Sequence, residues 1–278
     1  MKALFDSSSL KCSEIITKTY STSFSLGIKL FAPSIRPAIY AIYGFVRYAD
    51  EIVDSFNDYN QERLFKDFVH DYHKALEHKI SLNPIINAFQ EVVHNYKLHT
   101  YAEDFLKRME ADLTVSNYTT KEDYENYIYG SADVVGLMCL RVFVNNDDIK
   151  FNDLKQSAKH LGSAFQKVNF LRDFKDDTEK LGRSYFPNLQ NNTLNNLTKQ
   201  EIINDIELDF NEAYKGIIQL PIESRLGVYI AYRYYLKLLK KLKNTDSKLI
   251  TNRRIRVSNG LKFFIFTKSY IRYKLHAF

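Results

Sequence analysis

Helical periodicity runs through this chain almost without interruption, and that pattern limits its fold more than any other feature. Only 9 Gly and 5 Pro occur in 278 residues, and long stretches repeat apolar residues at three- and four-residue spacing with no breaker. A turn-rich β architecture needs more of both residues. The spacing predicts helices at roughly 10–21, 36–56, 61–78, 84–97, 101–116, 121–145, 151–180, 199–219, 222–243 and 256–275. Pro37, Pro84 and Pro221 fall at helix starts, where the missing N–H of proline costs nothing. The Asn-rich stretch 181–198, with Gly182 and Pro187, is the longest expected loop. Helical pattern resumes directly after it, so it does not read as a domain linker. The expected architecture is one all-α domain over 1–278.

The segment 36–56, RPAIYAIYGFVRYADEIVDSF, is apolar nearly all the way round, as a centrally buried helix would be. Yet Tyr43, Arg47, Asp50 and Asp54 follow at spacings of four, three and four and share one face. Burying such charges unpaired is costly, so the stripe must line a polar cavity, pair with another element, or hold ions. A second stripe runs Gln166, Asn169, Asp173, Asp177 at three, four and four, edged by Leu161, Phe165 and Val168, with Asp176 beside it. Acids four apart are weak evidence by themselves. Asp67/Asp71 and Asp205/Asp209 have the same spacing and read as solvated helix faces. What separates Asp50/Asp54 and Asp173/Asp177 is a nearby arginine (Arg47, Arg172), a continuing polar stripe and apolar surroundings. Two such helices facing each other would gather four or five carboxylates around one space, and like charges at that density need cations. Oxygen ligands without Cys or His point to a hard ion: magnesium, with manganese as a substitute, accompanying a diphosphate.

Those ligands suit a reaction in which a diphosphate leaves and an allylic cation forms. The cation needs ring faces and little water, for which Tyr20, Phe24, Tyr40, Tyr43, Tyr127 and Phe170 are candidates. Cys12 and Cys139 offer neither a disulfide framework nor a metal spacing. With no secretory signal in the opening residues, the expected compartment is the cytoplasm. No stretch approaches the ~20 apolar residues that span a bilayer; LKFFIF at 261–266 is too short. The net charge of +6 concentrates in the last quarter, at Arg253, Arg254, Arg256, Lys262, Lys268, Arg272 and Lys274. This reads as a solvated basic face, or as attraction to anionic lipid or diphosphates. No nucleic-acid module accompanies it.

Four blocks resemble the squalene and phytoene synthases over about Tyr20 to Val257. They are Tyr20-Ser-Thr-Ser-Phe24; Tyr43-x-x-x-Arg47-x-x-Asp50-Glu51-x-x-Asp54; Tyr127-Ile-Tyr-Gly-Ser-Ala-Asp-Val-Val-Gly136; and Gln166-x-x-Asn169-x-x-Arg172-Asp173-x-x-x-Asp177, continued by Arg183-Ser-Tyr185-Phe-Pro187. The resemblance implies an isoprenoid synthase helical bundle around a large central cavity. It implies that Asp50, Asp54, Asn169, Asp173 and Asp177 hold magnesium, with Arg47 and Arg172 at the diphosphates and Tyr127 near the reacting carbons. Ser21, Ser23, Phe24, Tyr43, Gln166, Asn169, Arg183, Tyr235 and Arg254 are the implied substrate contacts. Tyr232 and Tyr234 lie close to Tyr235, and Arg253 rivals Arg254. Two positions depart from the family: Thr22 stands where many members carry a basic residue, and Asp133 replaces a small one, placing it on the outer face or in the cavity.

The implied reaction joins two prenyl diphosphates through a cyclopropylcarbinyl diphosphate. Proton loss then gives phytoene from geranylgeranyl diphosphate or dehydrosqualene from farnesyl diphosphate; hydride gives squalene and water gives hydroxysqualene. The chain looks most like the bacterial phytoene synthases, and with no Gly-rich dinucleotide fingerprint, NADPH is not expected. A non-catalytic scaffold of the same fold would be expected to have lost some of these acids. Apolar products imply peripheral contact at the inner membrane surface, through the basic C-terminal helix. The oligomeric state is open.

Overall fold

A computed structural model of the chain describes all residues but 115–117, 119, 181, 188, 190–192, 258 and 276–278, and also leaves out the side chains of 180, 259, 261–263 and 274. Thirteen α-helices are present among the described residues: α1 (Lys2–Tyr20), α2 (Thr22–Ile28), α3 (Arg36–Ser55), α4 (Gln61–His78), α5 (Pro84–Tyr96), α6 (His99–Asp112), α7 (Lys121–Ile128), α8 (Val134–Phe143), α9 (Asp148–Lys180), α10 (Asn196–Ile217), α11 (Ile222–Lys243), α12 (Ser247–Asn252) and α13 (Asn259–Lys274). The all-α expectation is met. Many starts are written locally. Asn60, Asn83, Thr120 and Asn195 each accept from backbone N–H groups of the first turn that have no intrahelical partner.

The chain falls into two compact units. Unit 1 comprises Met1–Thr114, Leu137–Asp153 and Pro221–Gly227; unit 2 comprises Val115–Gly136, Leu154–Leu220 and Val228–Phe278. In unit 1, Phe45 of α3 is fully buried. Its ring stacks on Phe89 at 3.9 Å and meets Phe68 and Tyr72, each at 5.1 Å. Against α3 lies α1, whose buried face is small and polar: Ser9, Ser13 and Thr17. A Cβ on Gly44 would come within 3.2 Å of the Ser13 side chain, so the two helices approach closely. Thr17 donates to the Ser13 carbonyl, and Ser9 accepts from Asn87 of α5. That small polar face explains why apolar periodicity places the first helix at 10–21, eight residues short of its observed start.

In unit 2, α9 is the spine. A Cβ on Gly162 would stand 2.8 Å from the Ala132 carbonyl oxygen, and one on Gly136 would stand 3.0 Å from that of Ala158. Between α7 and α8 the chain makes a π-helical turn, Tyr129–Asp133, at this point of closest approach. The expected single helix 121–145 is therefore interrupted, as π turns often are where a functional side chain is re-aimed. Two other differences follow from length. The seven-residue α2 and six-residue α12 are too short for a periodic signal, and α13 begins at Asn259 rather than 256. Parts of the expected 181–198 loop lie outside the described residues.

Substituting Gly162→Ala should destabilise the protein by about 1–3 kcal/mol, because both groups facing the new methyl are backbone. Chemical denaturation reads this directly. An alanine variant as stable as the parent would contradict the close crossing.

Candidate active site

Unit 1 carries the α3 stripe. Arg47 Nη1 lies 2.5 Å from Asp50 Oδ2, and Nη2 pairs with Glu51. Burial opposes the charge on Arg47, yet Asp50 and Glu51 outweigh it and raise its pKa. The guanidinium carbon sits 4.5 Å from the centroid of the Tyr20 ring, a cation–π contact from the end of α1. Phe24 of α2 stacks on Tyr43 at 5.0 Å. Ser21 caps α2 by accepting from Phe24 N–H at 3.2 Å, so in this conformation its hydroxyl oxygen serves the backbone. Ser23 and Asp54 are half-buried. Arg47 Nε is buried with no hydrogen-bond partner among the described residues.

Unit 2 carries the α9 stripe, on which Gln166, Asn169, Asp173 and Asp177 are all half-buried. Asp173 is held by two arginines. Arg172 donates from Nε at 2.8 Å and Nη2 at 2.5 Å; Arg254 lies with Nε at 2.7 Å from Oδ1. Two guanidinium charges against one carboxylate leave this trio at +1, which favours an anion. Tyr235 Oη donates to Asn169 Oδ1 at 3.2 Å, and its ring stacks on Phe165 at 4.0 Å. Burial, chiefly, raises the Tyr235 pKa. Tyr232 instead packs with Phe210, Tyr214 and Tyr229. Thus Arg254, not the exposed Arg253, reaches the acidic stripe, and of Tyr232 and Tyr235 the latter joins it.

Behind the stripe lies an aromatic cluster. Phe170 stacks on Tyr185 at 4.0 Å, Tyr127 meets Tyr185 at 5.0 Å and Phe170 at 5.6 Å, and Tyr118 meets Tyr127 at 4.6 Å. The segment after α9 is folded back by the Arg183 N–H, which donates to the Asp177 carbonyl at 2.9 Å. Arg183 is buried, 7% exposed, and hydrogen-bonds the Tyr185 side chain. Burial pushes the Tyr185 phenol upward, so it stays protonated. Tyr118 and Glu51 are contributions that spacing does not single out. Tyr118 stands in an irregular segment with no periodicity, whereas Glu51 lies next to Asp50 and was visible as a third acid.

One sequence expectation is corrected here, and one of the two alternatives for Asp133 is excluded. Asp209 is not on a solvated face: it is 7% exposed, 2.8 Å from both Lys167 Nζ and His160 Nδ1. Only its neighbour Asp205, which pairs with Lys167 at 2.5 Å, remains largely exposed. The pairing arises because Lys167 points from α9 toward α10; burial pushes its pKa down, and Asp209 and Asp205 outweigh that and raise it. Asp67 and Asp71 are exposed as expected. Asp133 lies not on an outer face but buried, 6% exposed, accepting from Ser163 of α9 at 2.8 Å. Burial is the main cause that pushes its carboxyl up to about 7.

Among the described residues, no three His, Cys, Asp or Glu side chains come together as a ready-made metal cluster. The donor chemistry nevertheless fits magnesium. Each stripe offers carboxylate oxygens without nitrogen or sulfur ligands, and magnesium is commonly held by one or two carboxylates plus water and substrate phosphate.

Residues 17–260 match the sequence profile of the family Squalene/phytoene synthase. The chain is 30% identical to "Phytoene synthase 2, chloroplastic" of Zea mays, over 87% of this chain but only 64% of that protein, so it spans less than two thirds of that relative. It is 26% identical to 4,4'-diapophytoene synthase of Staphylococcus haemolyticus, over 93% of this chain and 95% of that one. Among solved structures, a dehydrosqualene synthase in complex with ligand superposes with a TM-score of 0.79 at 23% identity, covering 97% of this chain and 98% of the other. That likeness speaks for the fold alone.

The buried Asp133 gives a pH test. Its folded-state pKa lies above the ordinary value of 3.8, so the native state binds the extra proton. Its contribution is complete below about pH 4 and is lost as pH rises through about 7. Asp133→Asn keeps an acceptor for Ser163 and removes this dependence. Relative to the variant, the parent should lose about 2–3 kcal/mol of stability between about pH 5 and 8, measured by denaturation at each pH. Parallel pH profiles would contradict it.

Proposed function

The chain belongs to the squalene/phytoene synthase family, and from that membership we propose that it is a magnesium-dependent prenyl transferase joining two prenyl diphosphates head to head. The observation that carries this reading is Asp173 held between Arg172 and Arg254 on the same α9 stripe as Asn169 and Asp177. Asp50 and Asp54 on α3, and Asn169, Asp173 and Asp177 on α9, are the residues that would hold magnesium. The metal supplies charge neutralisation of the diphosphate leaving group.

The chain's own residues do the rest. Arg47, Arg172 and Arg254 offer forked N–H donors to diphosphate oxygens as negative charge accumulates when the carbon–oxygen bond breaks. Gln166 and Tyr235 add neutral contacts, and Tyr235 fixes the Asn169 amide. Electrons of that bond leave with the diphosphate, and the allylic cation is attacked by the double bond of the second substrate. The rings of Tyr127, Phe170 and Tyr185 present π faces and exclude water, which limits capture of the cation as an alcohol. Tyr185 keeps its phenolic proton through this sequence. The resulting tertiary cation closes to the cyclopropane as one proton leaves; release of the second diphosphate, ring opening and loss of a second proton complete the balance.

The product we assign is phytoene from two geranylgeranyl diphosphates, supported by the likeness to the maize protein. A second reading, dehydrosqualene from two farnesyl diphosphates, is favoured by the end-to-end match to the staphylococcal diapophytoene synthase. NADPH plays no part in either. Such products are very apolar, so we also propose peripheral contact of a cytoplasmic protein with a membrane. No helix among the described residues is long and apolar enough to cross one.

The test is to incubate purified protein and magnesium with each diphosphate, with and without NADPH, and identify the hydrocarbon. Phytoene or dehydrosqualene, independent of NADPH, is the expected result. Turnover of neither substrate would overturn the enzyme reading, and squalene formed with NADPH would overturn the proton-loss step. Asp50→Ala and Asp173→Ala should each lower turnover by about a thousandfold or more while helical content persists. Near-parental activity in either would refute the metal roles.

A further inference from the structure

The C-terminal end of unit 2 carries the chain's entire excess of positive charge. From Arg253 to Phe278 there are seven lysines and arginines and no acid; with 39 basic and 33 acidic residues in all, the remainder of the chain sits at −1. The exposed face of α13 is apolar where an ordinary surface helix is polar. Phe264, Ile271 and the following Leu275 are 59%, 51% and 71% exposed, and their spacing puts them on one face with Lys268. The Lys268 ammonium lies 5.9 Å from the Phe264 ring centroid. On the other side, Ser269 is buried.

Next to the start of this helix is a surface pocket of about 300 Å³ lined by Lys237, Lys240, Lys241, Asn244, Thr245 and Val257. Its lining contains no acid. Lys241 donates to the Arg256 carbonyl at 2.6 Å, tying the end of α11 to the segment that leads into α13. Lys237 and Lys240 are exposed.

We propose that this end of the molecule docks on an anionic phospholipid bilayer, with the α13 stripe at the acyl boundary and the Lys237/Lys240 pocket taking a headgroup phosphate. Charge complementarity selects that occupant. A second copy of this chain would bring another seven cations against the same patch, and a nucleic acid would leave the apolar stripe uncovered. A helix that shows apolar side chains outward among cations, over a lysine-lined pocket, matches an interfacial helix beside anionic lipid. This deepens the membrane contact proposed above and names its face, and it stands independently of which hydrocarbon is made.

The test is co-sedimentation of the full chain with vesicles of phosphatidylcholine, with and without phosphatidylglycerol. Binding should need the anionic lipid and weaken with added salt. Phe264→Ser/Ile271→Ser and Lys237→Ala/Lys240→Ala should each weaken it about tenfold or more, with helical content unchanged. Turnover of detergent-dispersed substrate should match the parent in both variants. Equal binding to neutral vesicles, or parental binding by both variants, would overturn the proposal. So would a dimer of the parent that the stripe variants split without altering vesicle binding. A parent that binds vesicles yet turns over nothing in detergent would instead overturn the enzyme reading and leave the docking surface standing.

Discussion

Charge placed within largely apolar helices is the constraint on which this structure depends. A carboxylate or guanidinium taken from water without a partner is costly, and removing one partner of a buried pair strands the other. Three clusters among the described residues meet this constraint with different geometry. On α3, Arg47 is shared between Asp50 and Glu51. On α9, Asp173 is shared between Arg172 and Arg254. Between α9 and α10, Lys167 is shared between Asp205 and Asp209, with His160 closing the far side.

Those solutions divide into two kinds. The Lys167 group is acid-rich and self-contained: one ammonium meets two carboxylates, and the more deeply buried of the two is also bonded to His160. It packs helices together. The Asp173 group is cation-rich and half-open, with two arginines on one carboxylate. The Arg47 group keeps a buried Nε without a partner among the described residues. An anion is what the cation-rich Asp173 group lacks, whereas the Arg47 group, one guanidinium between two carboxylates, is left with an excess of negative charge. The close crossing at Gly162 adds the other requirement, because it seats the turn that follows Tyr127 against α9, on the helix that also carries Phe170. Ring faces and the polar α9 stripe are thereby positioned from one rigid element.

Much of this was legible in the sequence, for reasons that can be named. The long helices follow from apolar spacing and a shortage of glycine and proline. Both acidic stripes follow from i, i+3, i+4 geometry, since a helix fixes which residues share a face. Spacing could not separate Asp205/Asp209 from Asp67/Asp71, because that difference lies in Lys167, 38 and 42 positions away along the chain, reaching across to α10. The first turns of α1 were hidden for the opposite reason: their buried residues are serines, which carry no apolar signal. The burial of Asp133 against Ser163 was equally silent, for it depends on how a π turn aims one side chain. Arg254 and Tyr235 were distinguished from their neighbours only by tertiary contact.

The central claim, made as a proposal, is that each acidic stripe serves magnesium and diphosphate rather than merely balancing the protein's own arginines. Its most direct test is calorimetric titration with a prenyl thiodiphosphate, whose carbon–sulfur bond resists ionisation, against the parent, Asp50→Asn and Asp173→Asn. Binding by the parent should require magnesium, and each variant should bind about tenfold or more weakly with its helical content intact. Binding that needs no magnesium, or that either substitution leaves undiminished, would contradict the account.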